Sequence, residues 1–243
     1  MISVCIATHN GEKYLREQLN SILSQLGSED EVIISDDGST DKTLNIIKEY
    51  KDDRIHLVLQ NSPKGLPSHE YATLNFENAL KYAKGEYILL SDQDDVWCDN
   101  KVDVIKKYLK DYYYVVSDCY VTDSNLDIIS ETRFTKNESY HCNKYAALVL
   151  STPYQGSCAA FRKEVLDKAL PFPKGLQSHD RWIGDVAAFF FSVIIIPEKL
   201  IYYRRHEGTA SNALGGSGKS SGLLKTLHYK WIYVWNILKL KLK

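Results

Sequence analysis

Leu89-Leu90-Ser91-Asp92-Gln93-Asp94-Asp95-Val96-Trp97 is the stretch on which the fold turns. Residues 87–90 make a short apolar run that suits a buried strand, and the run stops in three carboxylates within four residues. Like charges this close are costly to ionise in a half-buried site unless a cation neutralises them. Hard oxygen ligands in an Asp-x-Asp arrangement suit magnesium or manganese, which in turn attract phosphate oxygens. A solvated acidic turn between strand and helix is the competing reading. The position at the carboxyl end of a strand, where open α/β sheets bind ligands, favours the metal.

Upstream, strand-like and helix-like segments alternate. The β-branched run 2–8 predicts a first strand, Thr8-His9-Asn10-Gly11 a turn, and Leu15, Leu19, Ile22, Leu23 and Leu26 a helix over 12–26. A second strand over 32–35 breaks at Asp36-Asp37-Gly38-Ser39-Thr40-Asp41, where Ser39 or Thr40 can cap a helix running to Tyr50. A third strand over 55–59, a helix over 69–83 and the strand at 87–90 complete the pattern of βαβ units, so a doubly wound, mostly parallel sheet is expected. Such a sheet presents Thr8-His9-Asn10, Asp36-Asp37 and Asp92 to Asp95 to one ligand. The first strand is followed by no Gly-x-Gly-x-x-Gly, and Gly-Lys-Ser/Thr is absent, so dinucleotide and P-loop cradles are excluded. Asp36 or Asp37 can accept a hydrogen bond from a pyrimidine imide; a turn or capping role fits them equally.

The bulk properties permit this picture and narrow it. A chain of 243 residues accommodates one large α/β domain, and 44% apolar with 25% charged residues is ordinary for a globular protein. A net charge of −1 gives no basic field, so nucleic acid is not an expected partner. Cys5, Cys98, Cys119, Cys142 and Cys158 are odd in number and scattered, which reads as reduced thiols in a cytoplasmic protein. The N-terminus enters a strand at once, without the pattern of a signal peptide, and no apolar run approaches the roughly 18 residues of a spanning helix.

Beyond a helix over 100–109 and a strand over 115–117 the alternation loosens, and 119–155 reads as irregular and partly antiparallel. Gln155 to Phe161 is a turn of small residues, suited either to close approach of a substrate or to element packing, before a helix over 163–168. Ser178-His179-Asp180-Arg181-Trp182 opens another helix. Asp180 there is either an N-cap or a general base, with a sugar face stacked on Trp182 in the second case. Strand-like 193–197 and 200–203 precede Arg204-Arg205-His206-Glu207-Gly208, a loop whose cations suit a diphosphate and whose imidazole suits a metal. A Gly/Ser-rich linker follows at 211–222. In 223–243, Leu223, Leu224, Leu227, Trp231, Val234, Trp235, Leu238 and Leu242 share one helical face, with Lys225, Lys239 and Lys243 opposite and no acidic residue. This pattern suits a helix lying in an anionic membrane surface; docking on its own domain or on a twin subunit is the alternative.

Together these stretches resemble the family 2 glycosyltransferases, which have the GT-A fold. Val4-Cys5-Ile6-Ala7-Thr8-His9-Asn10-Gly11 looks like their opening strand and turn. Ser35-Asp36-Asp37-Gly38-Ser39-Thr40-Asp41 matches their second signature, and Lys84-Gly85-Glu86-Tyr87 leading into Asp92-Gln93-Asp94-Asp95-Val96-Trp97 matches their Asp-x-Asp motif. The last form is similar to that of bacterial rhamnosyl- and hexosyltransferases that build surface polysaccharides such as O-antigen or capsule. The resemblance covers about residues 1–210.

The resemblance implies an inverting, metal-dependent transfer from a nucleoside-diphosphate sugar, UDP-hexose or dTDP-rhamnose, with manganese or magnesium as cofactor. His9 and Asp37 would contact the base, with Thr8, Asn10 and Asp36 close by. Asp92 would touch ribose or metal, Asp94 and His206 would hold the metal, and Arg204 or Arg205 the diphosphate. Asp180 corresponds to the catalytic base, although His179-Asp180 replaces the commoner Glu-Asp pair. Gly156, Trp182, Asp95 and His179 fall on the side of the sugars. The absence of a Gln-x-x-Arg-Trp motif disfavours a processive polysaccharide synthase. The implied acceptor is a polyprenyl-diphosphate-linked saccharide at the inner face of the cell membrane, and a homodimer is left open. A non-catalytic nucleotide-sugar-binding protein and a metal-dependent nucleotidyltransferase are the rival readings.

Overall fold

The computed structural model describes residues 1–134, 140–141, 154–176, 178–206 and 223–242. The expected linker at 211–222, residues 207–210, Cys142, and 135–139 and 142–153 of the expected irregular region lie outside them. Four strands run parallel: β1 (Ile2–Thr8), β2 (Glu31–Asp36), β3 (Ile55–Leu59) and β4 (Tyr87–Ser91), in the order β3-β2-β1-β4. In β1 the successive residues Ile2, Ser3, Val4, Cys5 and Ile6 are all buried. Neighbouring side chains of a strand point to opposite faces, so both faces of the sheet are covered. Each Ile, Val or Leu enclosed here contributes about 1.5–3 kcal/mol, which gives the turns at the strand ends a stiff base.

The connections are α1 (Leu15–Leu23), α2 (Thr43–Glu49) and α3 (Ser68–Leu80). α1 is shorter than the expected 12–26, because Gly11 O first closes a turn by accepting from the Tyr14 and Leu15 amides. The expected cap of α2 also differs. Ser39 Oγ donates to Asp36, and the Asp41 carboxylate receives the Thr43 amide at 2.9 Å, so the helix starts only at Thr43.

After β4 the pairing changes. β5 (Val96–Trp97) precedes α4 (Lys101–Leu109), β6 (Tyr114–Thr122), β7 (Ile128–Ser130) and β8 (Tyr140–His141). A 3-10 turn at Gly156–Cys158 leads into β9 (Ala159–Arg162), α5 (Lys163–Ala169), α6 (His179–Phe190), β10 (Val193–Arg204) and α7 (Leu223–Leu242). β9 lies antiparallel between β4 and β6, β10 pairs parallel with β6, and β5 closes the row antiparallel to β10. The mostly parallel sheet expected from the sequence thus holds for the first four strands and the β6–β10 pair, while β5, β7, β8 and β9 are inverted. The two strand-like pieces expected at 193–203 are one strand, irregular where Pro197 lacks an amide to donate.

α7 is docked on the domain. Tyr233 and Ile237 are fully enclosed, whereas Trp231, Trp235, Leu238 and Leu242 face outward. The indoles of Trp231 and Trp235 stack with centroids 5.9 Å apart. Of the alternatives left open for this segment, docking on its own domain is seen for an inner stripe, and an outer apolar stripe is left exposed. No helix among the described residues is long and apolar enough to cross a membrane.

Candidate active site

β1 has β2 on one side and β4 on the other, so the connections diverge at its carboxyl end and leave a crevice there. The register sets Thr8 beside Asp36 and Ile6 beside Ser91, which brings the turns after all three strands to one edge. A cavity of about 910 Å3 opens over it.

The turns are laced together. Gln93 Oε1 accepts the His9 amide at 3.0 Å, and Gln93 Nε2 donates to His9 O at 3.1 Å. A side chain on Gly11 would collide with that carboxamide, which accounts for the glycine. His9 Nδ1 lies 2.8 Å from Asp37 O and donates to it, since a carbonyl only accepts. Asn10, held at φ 50°, receives the Thr40 amide on its side-chain oxygen at 2.8 Å. Asp37 receives the Ser62 amide at 2.9 Å.

Thr8, His9, Asp37, Asp92, Asp94, Gly156, His179 and Asp180 all line the cleft. Burial, and then the charges of Asp94 and Asp180, push the Asp92 carboxyl up to about 7. Asp180 is therefore near enough to Asp92 for their charges to interact, although 88 positions separate them in the sequence. Ser178, not Asp180, caps α6, and Asp180 sits in its first turn. Asp180 Oδ1 receives Ser178 Oγ and the Arg181 amide, the latter at 2.7 Å. Both of these bonds fall on Oδ1, and Asp180 lines the cleft. The His179 ring stacks on Phe76 with centroids 4.0 Å apart, and burial holds its imidazole below the ordinary value.

At the far side, Asp94 Oδ2 lies 2.8 Å from His206 Nε2. Asp94 and Gln93 also border a second hollow of about 590 Å3, which Asn10, Lys13, Tyr14, Asp123, Arg205 and His206 help to line. Among the described residues no three carboxylate, imidazole or thiol groups gather tightly enough to enclose a metal unaided. Asp94 and His206 offer two donors, and the mutual repulsion among Asp92, Asp94 and Asp180 favours a cation beside them.

Four residues expected at the ligand are placed elsewhere. Trp182 is 1% exposed and its indole donates to Ala169 O at 2.9 Å, so no sugar can stack on it. Asp95 is fully enclosed, receives the Arg204 amide at 3.0 Å and does not line the cleft; burial raises its carboxyl well above the usual range. Asp36 is spent on its own turn, receiving Thr8 Oγ1 at 2.9 Å and the Ser39 amide at 2.9 Å. Arg204 is 3% exposed, with its guanidinium divided among Asp94 O, Ser124 O and Glu17 and lying over the Tyr14 ring. It braces the Asp94 turn and has no reach to a diphosphate; Arg205, one residue on, borders the second hollow.

The sequence reading missed one wall. Asn61, Ser62 and Lys64 after β3, with His69 and Phe76 on α3, complete the cleft. The signal was available, since β3 ends at the same sheet edge as its neighbours. Asn75 ties this wall to β1 by donating to Thr8 O at 3.0 Å.

Known proteins share this plan. An uncharacterized glycosyltransferase of Nostoc sp. is 29% identical over 238 residues, spanning 90% of this chain and 69% of its own length. The Escherichia coli enzyme WfaP, UDP-Glc:alpha-D-GlcNAc-diphosphoundecaprenol beta-1,3-glucosyltransferase, is 38% identical over 102 residues, 42% of this chain. That match spans only 38% of WfaP. Among solved structures, S. aureus TarS 1-349 in complex with UDP-GlcNAc superposes with a TM-score of 0.71 at 21% identity. It covers 97% of this chain and 66% of TarS 1-349 and shows the same fold. Residues 3–170 match the model of glycosyl transferase family 2, and the chain is a member of that family.

Proposed function

We propose that this glycosyltransferase moves a sugar, with inversion, from a UDP-hexose or dTDP-rhamnose donor to a hydroxyl of a growing lipid-linked surface polysaccharide. The observation that carries the reading is the convergence of Asp92, Asp94 and Asp180 on one cleft, close enough for the first to feel the other two. The nucleoside would lie along the β1 and β2 ends, with Asp37 and His9 beside the base. The acceptor would enter over Gly156 and His179. The Asp180 carboxylate takes the hydroxyl proton as the acceptor oxygen bonds to the anomeric carbon, and the departing diphosphate keeps the electron pair of the broken bond. Proton removal of this kind contributes about 10²- to 10⁴-fold. Asp94 and His206, with Asp92, would hold manganese or magnesium. When bound, that cation supplies positive charge against the leaving diphosphate.

The outer stripe of α7 fits a lipid-linked acceptor. Trp231, Trp235, Leu238 and Leu242 are exposed, Lys230, Lys239 and Lys241 accompany them, and the helix carries no acidic residue. Each lysine near anionic lipid is worth about 1 kcal/mol, enough together for reversible docking at a membrane face. Co-sedimentation with anionic vesicles should fall sharply in Trp231→Ser/Trp235→Ser; undiminished binding would remove the surface from this role.

The deciding experiment compares Asp180→Asn with the wild type across UDP-, dTDP- and GDP-sugars, with and without manganese. Donor binding by calorimetry should persist while transfer is lost. Turnover comparable to wild type in Asp180→Asn would end the base assignment, and release of pyrophosphate instead of a nucleoside diphosphate would end the reaction class.

A further inference from the structure

Two stripes run along α7, and the inner one reaches the catalytic turn. Tyr233 is 1% exposed, and its hydroxyl meets both backbone groups of a single residue. It accepts the Ser178 amide at 3.0 Å and donates to Ser178 O at 3.2 Å. Ser178 is the cap of α6: its carbonyl also receives the Trp182 amide at 3.2 Å, the first bond of that helix. Its hydroxyl is the group that donates to Asp180 Oδ1. The face of the same tyrosine ring carries the Arg181 guanidinium at 4.8 Å, and the ring lies tilted at 53° to Trp182 with centroids 6.5 Å apart. Tyr233 therefore grips residues on both sides of Asp180.

We propose that Tyr233 is a positioning residue for transfer: it fixes Ser178, and Ser178 Oγ fixes the rotamer and depth of the Asp180 carboxyl. The proposal rests on the reading of Asp180 as the base. A tyrosine needed only to hold α7 down could bond anywhere along the inner stripe, as Lys168 does by donating to Leu240 O at 3.2 Å. Here the hydroxyl is spent on the one backbone unit whose side chain touches the proposed base. Reactivity is far more sensitive to such placement than stability is, because a displacement near 1 Å can cost about 10²-fold in rate. The terminal helix thereby belongs to the catalytic domain, and removing 223–243 should impair transfer even to a soluble acceptor.

Tyr233→Phe deletes only the hydroxyl. With the full chain and a soluble saccharide acceptor, kcat should fall about tenfold while the donor KM stays near the wild-type value. Ser178→Ala cuts the same path one link nearer to Asp180, so the double variant should be no slower than the slower single one. A lowered Tm with unchanged kcat per folded molecule would reduce Tyr233 to a structural contact and overturn the proposal, as would effects of the two substitutions that multiply. If Tyr233→Phe does not fold, wild-type kcat in Ser178→Ala overturns it equally. An inactive Asp180→Asn beside an unaffected Tyr233→Phe would sink only the positioning role, whereas an active Asp180→Asn would sink the base itself.

Discussion

Gly156→Ala should damage catalysis through one methyl group. A Cβ at this position would lie 2.9 Å from His179 Nε2 and 3.7 Å from Asp180 Cβ. Unbonded heavy atoms settle at about 3.5 Å or more, so the imidazole would have to retreat by about 0.6 Å. The imidazole is buried and already stacked on Phe76 at 4.0 Å, so it has little room to shift, and the strain passes to the start of α6 and to Asp180. Overpacking of this kind costs about 1–3 kcal/mol, and a misplaced base lowers the rate by about 10- to 100-fold. Steady-state kinetics with a soluble acceptor, alongside thermal melting, should show a fall in kcat that exceeds any rise in donor KM. Pairing the change with His179→Ala vacates the space, so the double variant should be no worse than His179→Ala alone. Wild-type kcat and melting temperature in Gly156→Ala would refute the reasoning, since the close approach would then constrain nothing.

Other outcomes follow from the same structure. Arg204→Ala should lower stability by about 2 kcal/mol in urea titration, because it strands the half-buried Asp94 and Ser124 carbonyls; a change confined to donor KM would return Arg204 to the diphosphate. Asp185 is fully enclosed, and burial pushes its carboxyl up to about 7. Below pH 4 folded and unfolded chains both hold its proton; between pH 4 and 7 only the folded chain does, so stability falls by up to about 4 kcal/mol as pH rises through that window. Asp185→Asn should flatten this decline in melts taken at pH 5 and pH 7.5, and an unchanged slope would exclude Asp185 as its source. Gln93→Ala should weaken UDP binding in calorimetry by loosening the His9 turn; undiminished affinity would make the double amide bond incidental.

The first four strands and the acidic strand ends were legible because β-branched runs and broken alternation record burial directly. Direction was harder to read. Asp94 and Asp95 are adjacent, yet one borders the cleft and the other faces Arg204 in the interior. Nothing in a run of carboxylates says which is which until β10 is placed beside β5. Arg204 and Arg205 pose the same problem at the end of that strand: Tyr203 and Arg204 are both buried there, so side-chain alternation does not pick out Arg205 as the outward one. Trp182 was within reach of the sequence: two helical residues on from Asp180 is about 200° around the axis, so a base facing the cleft sends the indole to the core. The wall from Asn61 to Phe76 carries no acidic or glycine-rich signature, and only the shared sheet edge reveals it.

The carboxamide of Gln93 makes two turns from different strands into a single rigid bracket. One arm of that bracket faces the proposed nucleobase and the other the proposed phosphates, so the span between them is set before any donor arrives. A nucleotide of another length should bind more weakly there, and more nearly equally in Gln93→Ala, where the bracket is cut.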